Sequence, residues 1–408
     1  MRRELVIRAL LPAFLLLVSS SVHGADDSVR AQIKKALFVE GPLPALSPKL
    51  HSTFEPTPGV IGERITFGTQ YNMQVPAILY RPKTTSAKAP AIIIVNGHGG
   101  DKYSWYPIYA GMLYAKAGAF VLTYDPTGEG ERNTERKSGT RAHDKVEPIP
   151  ELGQRLGGLM LTDVMQAVSY LSARSEVDPR RIAAVGYSMG SFVLSVACAV
   201  ETRLSACVLV GGGNLDGPDG YWDRSKPMCQ AYPYKALTFL GDRAAVLYSL
   251  HNYTLVYNGL EDTTVAIPQF GESNFRDLQI RTAKLNRGVA FETMFHPGTG
   301  HRPYFVTKPV ALWMEKYLDF PAWTAQQIEA MPTTHISEWA KANGVDMDPL
   351  YATEHREGGT PALGSGVPGV PRAQLHVLSE TEWQSARENL IHESWRAQAK
   401  RQIEAPAK

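Results

Sequence analysis

The feature of this sequence that most constrains its fold is the pentapeptide GYSMG at residues 186–190, which is centred on Ser188. An apolar run at 182–185 precedes it, and a stretch suited to a helix at 192–200 follows it. A strand that turns this sharply into a helix strains the backbone of the central residue, and the flanking glycines let strand and helix pass closely. Because the pattern is short, an ordinary glycine–serine turn remains the alternative.

Ser188 needs a base and an acid to become a nucleophile, and both types of side chain follow later apolar runs. Asp262 comes after the run at 254–257, and His301 comes after the run at 291–295. In an open, mostly parallel sheet the carboxyl ends of the strands meet at one edge, so these three side chains can converge there. The chain order of serine, aspartate and histidine is the order used by α/β-hydrolases.

Two neighbouring residues offer the same chemistry as this acid and this base. Glu261 adjoins Asp262, and His296 precedes His301 by five positions. His296 falls at the end of its strand, directly before a proline, whereas His301 lies in the following loop. We therefore expect His301 to be the base, with His296 and Glu261 as the alternatives.

The segments at 91–100, 124–132 and 177–182, together with the loops of Asp262 and His301, carry a family resemblance. The chain resembles secreted serine esterases of the α/β-hydrolase superfamily, in the acetyl xylan esterase and dienelactone hydrolase-like branch. The resemblance implies an α/β fold: a mostly parallel sheet with helices on both faces, a cap-like insertion and an extra C-terminal segment. The Gly-x-x-Asp-x-x-Val spacing of residues 259–265 also resembles the family's acid loop and favours Asp262.

This resemblance implies a serine carboxylic ester hydrolase, acetyl xylan esterase-like, that forms an acyl-enzyme on Ser188 with His301 and Asp262. Its substrate would be a small-molecule ester or an acylated polysaccharide, and no cofactor would be needed. A serine peptidase or amidase of the same fold is one alternative. A non-catalytic carbohydrate-binding homologue is another, although the intact serine, aspartate and histidine order argues against it.

Ester cleavage also requires donors for the negative charge that develops on the carbonyl oxygen. The backbone N–H of Met189, directly after the nucleophile, is the first expected donor. By the resemblance, the second is the backbone N–H of His98 in the glycine-rich loop after the 91–95 strand. Asn96 stands where relatives commonly have histidine, which leaves Gly99 as the substitute donor.

Residues 1–24 have the pattern of a signal peptide, with a basic start, an apolar run at 9–18 and a small or aliphatic residue at the −3 and −1 positions of a cleavage site, Val22 and Gly24. A membrane anchor is the alternative, but the run is too short for a bilayer core of ~30 Å. Its removal takes three arginines and one glutamate from a chain of net charge +2, which leaves a neutral protein. We therefore expect export to the periplasm or medium, with no stable membrane anchor and no affinity for nucleic acid.

The three cysteines, Cys198, Cys207 and Cys229, are too few for a disulfide scaffold. A bridge between Cys198 and Cys207 is one alternative, and buried thiols acting as small apolar side chains are the other. No cysteine or histidine cluster has the spacing of a zinc site, so the sequence predicts no metal.

The chain divides into a signal peptide at 1–24, a proline-rich segment at 25–60, a hydrolase domain at 61–320 and a C-terminal extension at 321–408. The proline-rich segment is expected to wrap the core as irregular structure. An aromatic-rich insertion at about 214–240 is expected either to form a lid or to pack as a small aromatic core. The extension is expected to pack back on the hydrolase domain.

Overall fold

The computed structural model describes residues 26–85, 88–144, 149–215, 229, 231–285, 291–345 and 360–405. The predicted signal peptide and most of the cap-like insertion lie outside these residues. Within the described ranges, no helix combines the length and the apolar character needed to cross a membrane.

A nine-stranded sheet forms the centre of the protein. Its strands are β1 (Lys49–Thr57), β2 (Val60–Gly68), β3 (Gln74–Pro82), β4 (Ala89–Val95), β5 (Phe120–Tyr124), β6 (Val177–Tyr187), β7 (Ala206–Val210), β8 (Tyr253–Gly259) and β9 (Phe291–His296). They lie in the order β1-β2-β3-β5-β4-β6-β7-β8-β9. The strands from β5 to β9 are parallel, and β1, β2 and β3 extend the sheet in antiparallel pairing. The predicted mostly parallel sheet is therefore confirmed.

Helices cover both faces of this sheet. They are α1 (26–36), α2 (Trp105–Lys116), α3 (Pro150–Ser172), α4 (Met189–Val200), α5 (Ala231–Lys235), α6 (Arg243–Ser249), α7 (Ile267–Leu285), α8 (Lys308–Leu318), α9 (Ala325–Ala330), α10 (Ile336–Asn343), α11 (Glu380–Ala386) and α12 (His392–Glu404). Alternate residues of β4 point to opposite faces, as strand geometry requires. Ile93 belongs to a buried cluster with residues of α1, α3, α4, α6 and α7, whereas Ile92 and Ile94 belong to a second cluster with residues of α2, α8 and the C-terminal extension.

The expectation of irregular structure at 25–60 is wrong. This segment contains α1, whose Ile33 and Leu37 are buried in the core, and the edge strand β1. Phe54 of β1 packs over Gly62 of β2 so closely that a Cβ on that glycine would lie 2.3 Å from the ring. The prolines are confined to the linker between helix and strand and to the end of β1, so they do not prevent either element from forming.

The C-terminal extension packs on the hydrolase domain. A two-stranded sheet, β10 (Thr333–His335) with β11 (Pro361–Leu363), lies beside α2, where the Tyr109 hydroxyl donates to the Leu363 carbonyl at 2.9 Å. Trp383 joins the core on the α2 face. Trp395 of α12 packs in a third cluster that also contains Met189, the first residue of α4.

A disulfide joins Cys198, near the end of α4, to Cys207 of β7. Of the two alternatives for these cysteines, the structure has the bridge. It ties the helix after the GYSMG turn to the neighbouring strand of the sheet.

Candidate active site

Ser188 occupies the sharp turn between β6 and α4. Its φ of 53° and ψ of −116° lie where residues other than glycine are strained. A Cβ on Gly190 would lie 2.1 Å from the Val95 carbonyl oxygen, and one on Gly186 would lie 2.5 Å from the Gly190 carbonyl oxygen. Both positions therefore require glycine, and the turn presents Ser188 above the carboxyl end of the sheet.

Asp262 and His301 form a buried pair at the ends of β8 and β9. Nδ1–H of His301 donates to Oδ2 of Asp262 at 2.7 Å. The other carboxylate oxygen, Oδ1, accepts the backbone N–H groups of Thr264 at 3.0 Å and Val265 at 3.2 Å. The carboxylate is thus held in place, and the hydrogen bond leaves Nε2 of the imidazole as the proton acceptor.

The two alternative residues lie elsewhere. Glu261 is exposed, whereas Asp262 beside it is buried. Nδ1 of His296 donates to the Pro297 carbonyl at 2.9 Å, and its ring stacks on Tyr304 with centroids 5.2 Å apart. His296 therefore makes its contacts within its own loop. The buried acid–base pair consists of Asp262 and His301.

Contacts with Tyr187 and Gly211 place the His301 ring beside the serine turn. The ring centroid lies 4.9 Å from that of Tyr187, the residue before Ser188, and a Cβ on Gly211 would lie 2.8 Å from Cε1 of His301. His301 Nε2 makes no hydrogen bond with any described residue, so its bond to Ser188 is not formed in this structure. Such bonds are often long or absent until substrate binds.

The glycine-rich loop after β4 lies directly against the serine. A Cβ on Gly97 would lie 3.0 Å from the Ser188 Cβ, and Gly99 has a φ of 73°. Asn96 anchors the loop to the end of β5, since its Nδ2 donates to the Tyr124 carbonyl at 2.8 Å. Met189, the residue after Ser188, is the first residue of α4, where a backbone N–H has no acceptor within the helix. The glycine-rich loop and the start of α4 therefore both adjoin Ser188.

A buried ionic cluster supports this loop, and it includes Asp125 and Glu131 of the 124–132 segment. Lys102 Nζ contacts Oδ2 of Asp125 and lies 2.9 Å from Oε2 of Glu131, and all three side chains are fully buried. The Glu131 carboxylate also accepts the backbone N–H groups of Val377 at 2.9 Å and Leu378 at 3.2 Å. Although burial opposes it, the Lys102 ammonium lowers the pKa of Glu131 to about 2. The cluster therefore connects the glycine-rich loop to the C-terminal extension.

A cavity of about 650 Å³ opens beside Gly99. Tyr103 and Trp105 line it from the hydrolase domain, and the extension contributes Arg372, whose guanidinium lies 3.7 Å from the centre of the Tyr103 ring. Its volume falls in the range of small-molecule sites, roughly 300 to 1,000 Å³. The extension thus supplies one wall of a pocket next to the proposed oxyanion loop.

Comparisons with known proteins agree with this architecture. The family model described as prolyl oligopeptidase family matches residues 110–330. A putative hydrolase of Bacillus subtilis, YtaP, is 28% identical over 194 residues, which cover 44% of this chain and 63% of that protein. The matched region spans between 40% and 63% of the length of each curated relative.

Solved structures share the fold at low sequence identity. The methylesterase BT1017 aligns over 97% of this chain and 79% of its own, with a TM-score of 0.55 and 18% identity. Acetyl xylan esterase 1 from a Thermoanaerobacterium species aligns over 71% of this chain and 92% of its own, with a TM-score of 0.50 and 17% identity. Because the family model covers more than half of the sequence, the chain belongs to the prolyl oligopeptidase family, and it has the α/β-hydrolase fold.

Proposed function

We propose that this protein is a serine carboxylic ester hydrolase in which Ser188 is the nucleophile, His301 the general base and Asp262 the acid that orients it. The observation that carries the proposal is the buried hydrogen bond between His301 and Asp262 at the same sheet edge as the strained serine. Such an arrangement costs folding free energy and is typical of catalytic sites.

In this proposal Nε2 of His301 accepts the hydroxyl proton as Oγ of Ser188 bonds to the ester carbonyl carbon. The bond to the alcohol oxygen then breaks, and that oxygen takes the proton from His301. Water, activated by the same imidazole, cleaves the acyl-enzyme to the free acid. The backbone N–H groups of Met189 and of His98, or Gly99 in its place, would bind the oxyanion, each contributing roughly 3 to 4 kcal/mol. The proton taken from water then passes from His301 to Oγ of Ser188, so that one ester and one water molecule give one acid and one alcohol.

We propose an acylated carbohydrate, in the manner of acetyl xylan esterases, or a small ester as the substrate. The cavity beside Gly99 supports this, since it has the volume for a sugar-sized alcohol and offers the aromatic rings of Tyr103 and Trp105. A peptide or other amide is the second candidate, because the matching family is named for oligopeptidases. Among the described residues there is no β-propeller, and the strands form only the central sheet and one small two-stranded sheet.

The test is a substrate panel with a matched variant. We expect p-nitrophenyl acetate or acetylated xylan to be hydrolysed in preference to p-nitrophenyl octanoate and to a peptide anilide. Ser188→Ala should keep the wild-type thermal midpoint, lose hydrolysis by several orders of magnitude and lose labelling by a fluorophosphonate probe. Preference for the anilide would establish an amidase instead, and equal labelling of Ser188→Ala would rule out Ser188 as the nucleophile.

We also propose that the protein is exported, with cleavage near Gly24. The disulfide between Cys198 and Cys207 supports this, because such bonds persist in oxidising compartments. Intact-mass measurement of the protein recovered from periplasm or medium should give a chain that begins near Ala25. Recovery of the full-length chain from the cytosol with both thiols alkylatable would contradict export.

A further inference from the structure

Three side chains with metal-binding chemistry meet beside the candidate active site. They are His98 of the glycine-rich loop, His143 of the turn before α3, and Cys229 of the cap-like insertion. Their ligand atoms all lie within 4.8 Å of one another. Nε2 of His98 lies 2.9 Å from Sγ of Cys229, and the two imidazole rings stack with centroids 5.4 Å apart. Because the three residues come from separate segments, no local spacing in the sequence reveals the cluster.

Burial prepares these groups as ligands. His143 and Cys229 are fully buried, and Nε2 of His143 makes no hydrogen bond with any described residue. A buried polar atom without a partner is unfavourable unless something binds it. Imidazole nitrogen and thiolate sulfur are both metal ligands, so a bound ion would supply the missing partner.

Two carboxylates complete the surroundings. Oδ1 of Asp144 lies 3.5 Å from Nε2 of His98, on the edge of the cluster. Oε1 of Glu129 lies 3.8 Å from Nδ1 of His143, which is beyond hydrogen-bond distance. The cluster thus offers two imidazoles, one thiol and a nearby carboxylate.

We propose that His98, His143 and Cys229 bind a divalent transition metal ion, with Zn²⁺ the best match, and that Asp144 or water provides the fourth ligand. Mixed imidazole and thiolate ligands in a tetrahedral set suit Zn²⁺. On binding, the Cys229 thiol releases its proton to solvent and its thiolate coordinates the ion. This proposal replaces the expectation, drawn from local spacing, that the chain binds no metal.

The position of the cluster indicates a structural role. Sγ of Cys229 also lies 3.7 Å from Sδ of Met189, and His98 directly follows Gly97, which packs against Ser188. The ion would therefore fasten the cap-like insertion to the loop and helix that flank the nucleophile. It takes no part in the ester cleavage cycle, and the proposal does not depend on esterase activity.

The experiment is Zn²⁺ titration by calorimetry of the untagged, full-length protein after EDTA treatment and dialysis into a metal-free buffer without reductant, which keeps the Cys198–Cys207 disulfide intact. We expect one Zn²⁺ per chain, a raised thermal midpoint, and a thiolate-to-cobalt charge-transfer band when Co²⁺ replaces Zn²⁺. Cys229→Ser should abolish the band, and Cys229→Ser and His143→Gln should each weaken binding at least about tenfold. His335→Gln, which changes an exposed histidine, is the matched control and should bind as the wild type does.

Circular dichroism and thermal midpoints in EDTA establish that each variant is folded. If Cys229→Ser does not fold, the Zn²⁺ affinity of His143→Gln tests the site. Binding by Cys229→Ser and His143→Gln equal to that of the wild type overturns the proposal, as does a cobalt complex without the charge-transfer band. Absence of stoichiometric binding by the wild type also overturns it, and the cluster is then a hydrogen-bonded histidine–cysteine pair.

Discussion

Glu131 and Lys102 form an ion pair with a separation of 2.9 Å and no solvent exposure of either side chain. The same carboxylate accepts two backbone N–H groups from the C-terminal extension, and the Trp383 indole donates to the Glu131 carbonyl at 2.9 Å. One acidic residue therefore links the loop beside the candidate nucleophile to a segment more than two hundred residues later in the chain.

Glu131→Gln removes one of the two negative charges around Lys102 and should lower the free energy of unfolding by roughly 1.5 to 3 kcal/mol, because charge-assisted hydrogen bonds are lost while Lys102 keeps Asp125 as a partner. Urea denaturation measures the change, and limited proteolysis should cut the variant faster within 360–405. Glu135→Gln alters an exposed glutamate nearby and should change stability by less than about 0.5 kcal/mol. Equal stability of the two variants would show that the cluster does not hold the extension.

Asp262→Asn should lower kcat by up to ~10⁴, because an amide at this position favours the wrong imidazole tautomer of His301. Glu261→Gln should change kcat by less than about tenfold, since this exposed side chain contributes little. Steady-state kinetics on p-nitrophenyl acetate, with thermal midpoints for both variants, provide the comparison. A larger effect of Glu261→Gln at an unchanged midpoint would mean that the acid has been misassigned.

His301→Ala should abolish turnover, with a loss in kcat of at least about 10⁴-fold. His296→Ala should mainly affect stability, by roughly 1 kcal/mol, because it removes the ring that stacks on Tyr304. Fluorophosphonate labelling rates report on serine activation independently of substrate binding. Slower labelling of His296→Ala than of His301→Ala would reverse the assignment of the base.

Stability should fall as the pH drops from about 6.5 towards 4, because burial, with a smaller effect of Arg30, lowers the pKa of His251 to about 4. The unfolded chain binds this proton near pH 6.5, so the contribution is complete above that pH and is lost as the pH approaches the folded-state pKa. The loss amounts to about 3 kcal/mol for this residue. Nε2 of His251 donates to the Ser195 carbonyl at 2.8 Å, which fixes the neutral tautomer.

Urea denaturation of the wild type and His251→Gln at pH 7 and pH 4 tests this expectation. The variant is less stable at pH 7, but the difference from the wild type should shrink by about 3 kcal/mol at pH 4, since glutamine cannot take up the proton. His335→Gln is the control for an exposed histidine. A difference that is independent of pH would show that His251 is not held neutral in the native state.

The buried strands could be predicted from the sequence, because a central parallel strand is a continuous apolar run. β5 (Phe120–Tyr124) and β7 (Ala206–Val210) begin and end where those runs do. β1 could not be predicted in this way, because it lies at the edge of the sheet, where most of its residues are exposed or half-buried and form no continuous apolar run. The helix α1 could not be predicted either, because its stability comes from Ile33 and Leu37, which pack in a core formed by residues distant in the sequence.

The candidate site divides in the same way. The positions of Asp262 and His301 follow from strand order, because ends of adjacent parallel strands must meet. Two other contacts could not be predicted, because each joins segments that are distant in the sequence and share no local motif. They are Lys102 with Glu131 and His98 with Cys229. The hydrogen bond by which Asn96 anchors its loop could not be predicted either, because its acceptor lies at the end of β5 and the two residues meet only in the folded protein.

Trp395 packs in the same cluster as Met189, and this sets the order in which the protein can mature. During synthesis, the serine turn, the acid and the base all leave the ribosome well before α12 does. A nascent chain therefore carries every proposed catalytic residue while the packing beneath the turn is still incomplete. We expect hydrolytic competence to arise only once the last helix has docked, so that an interrupted translation product remains inert.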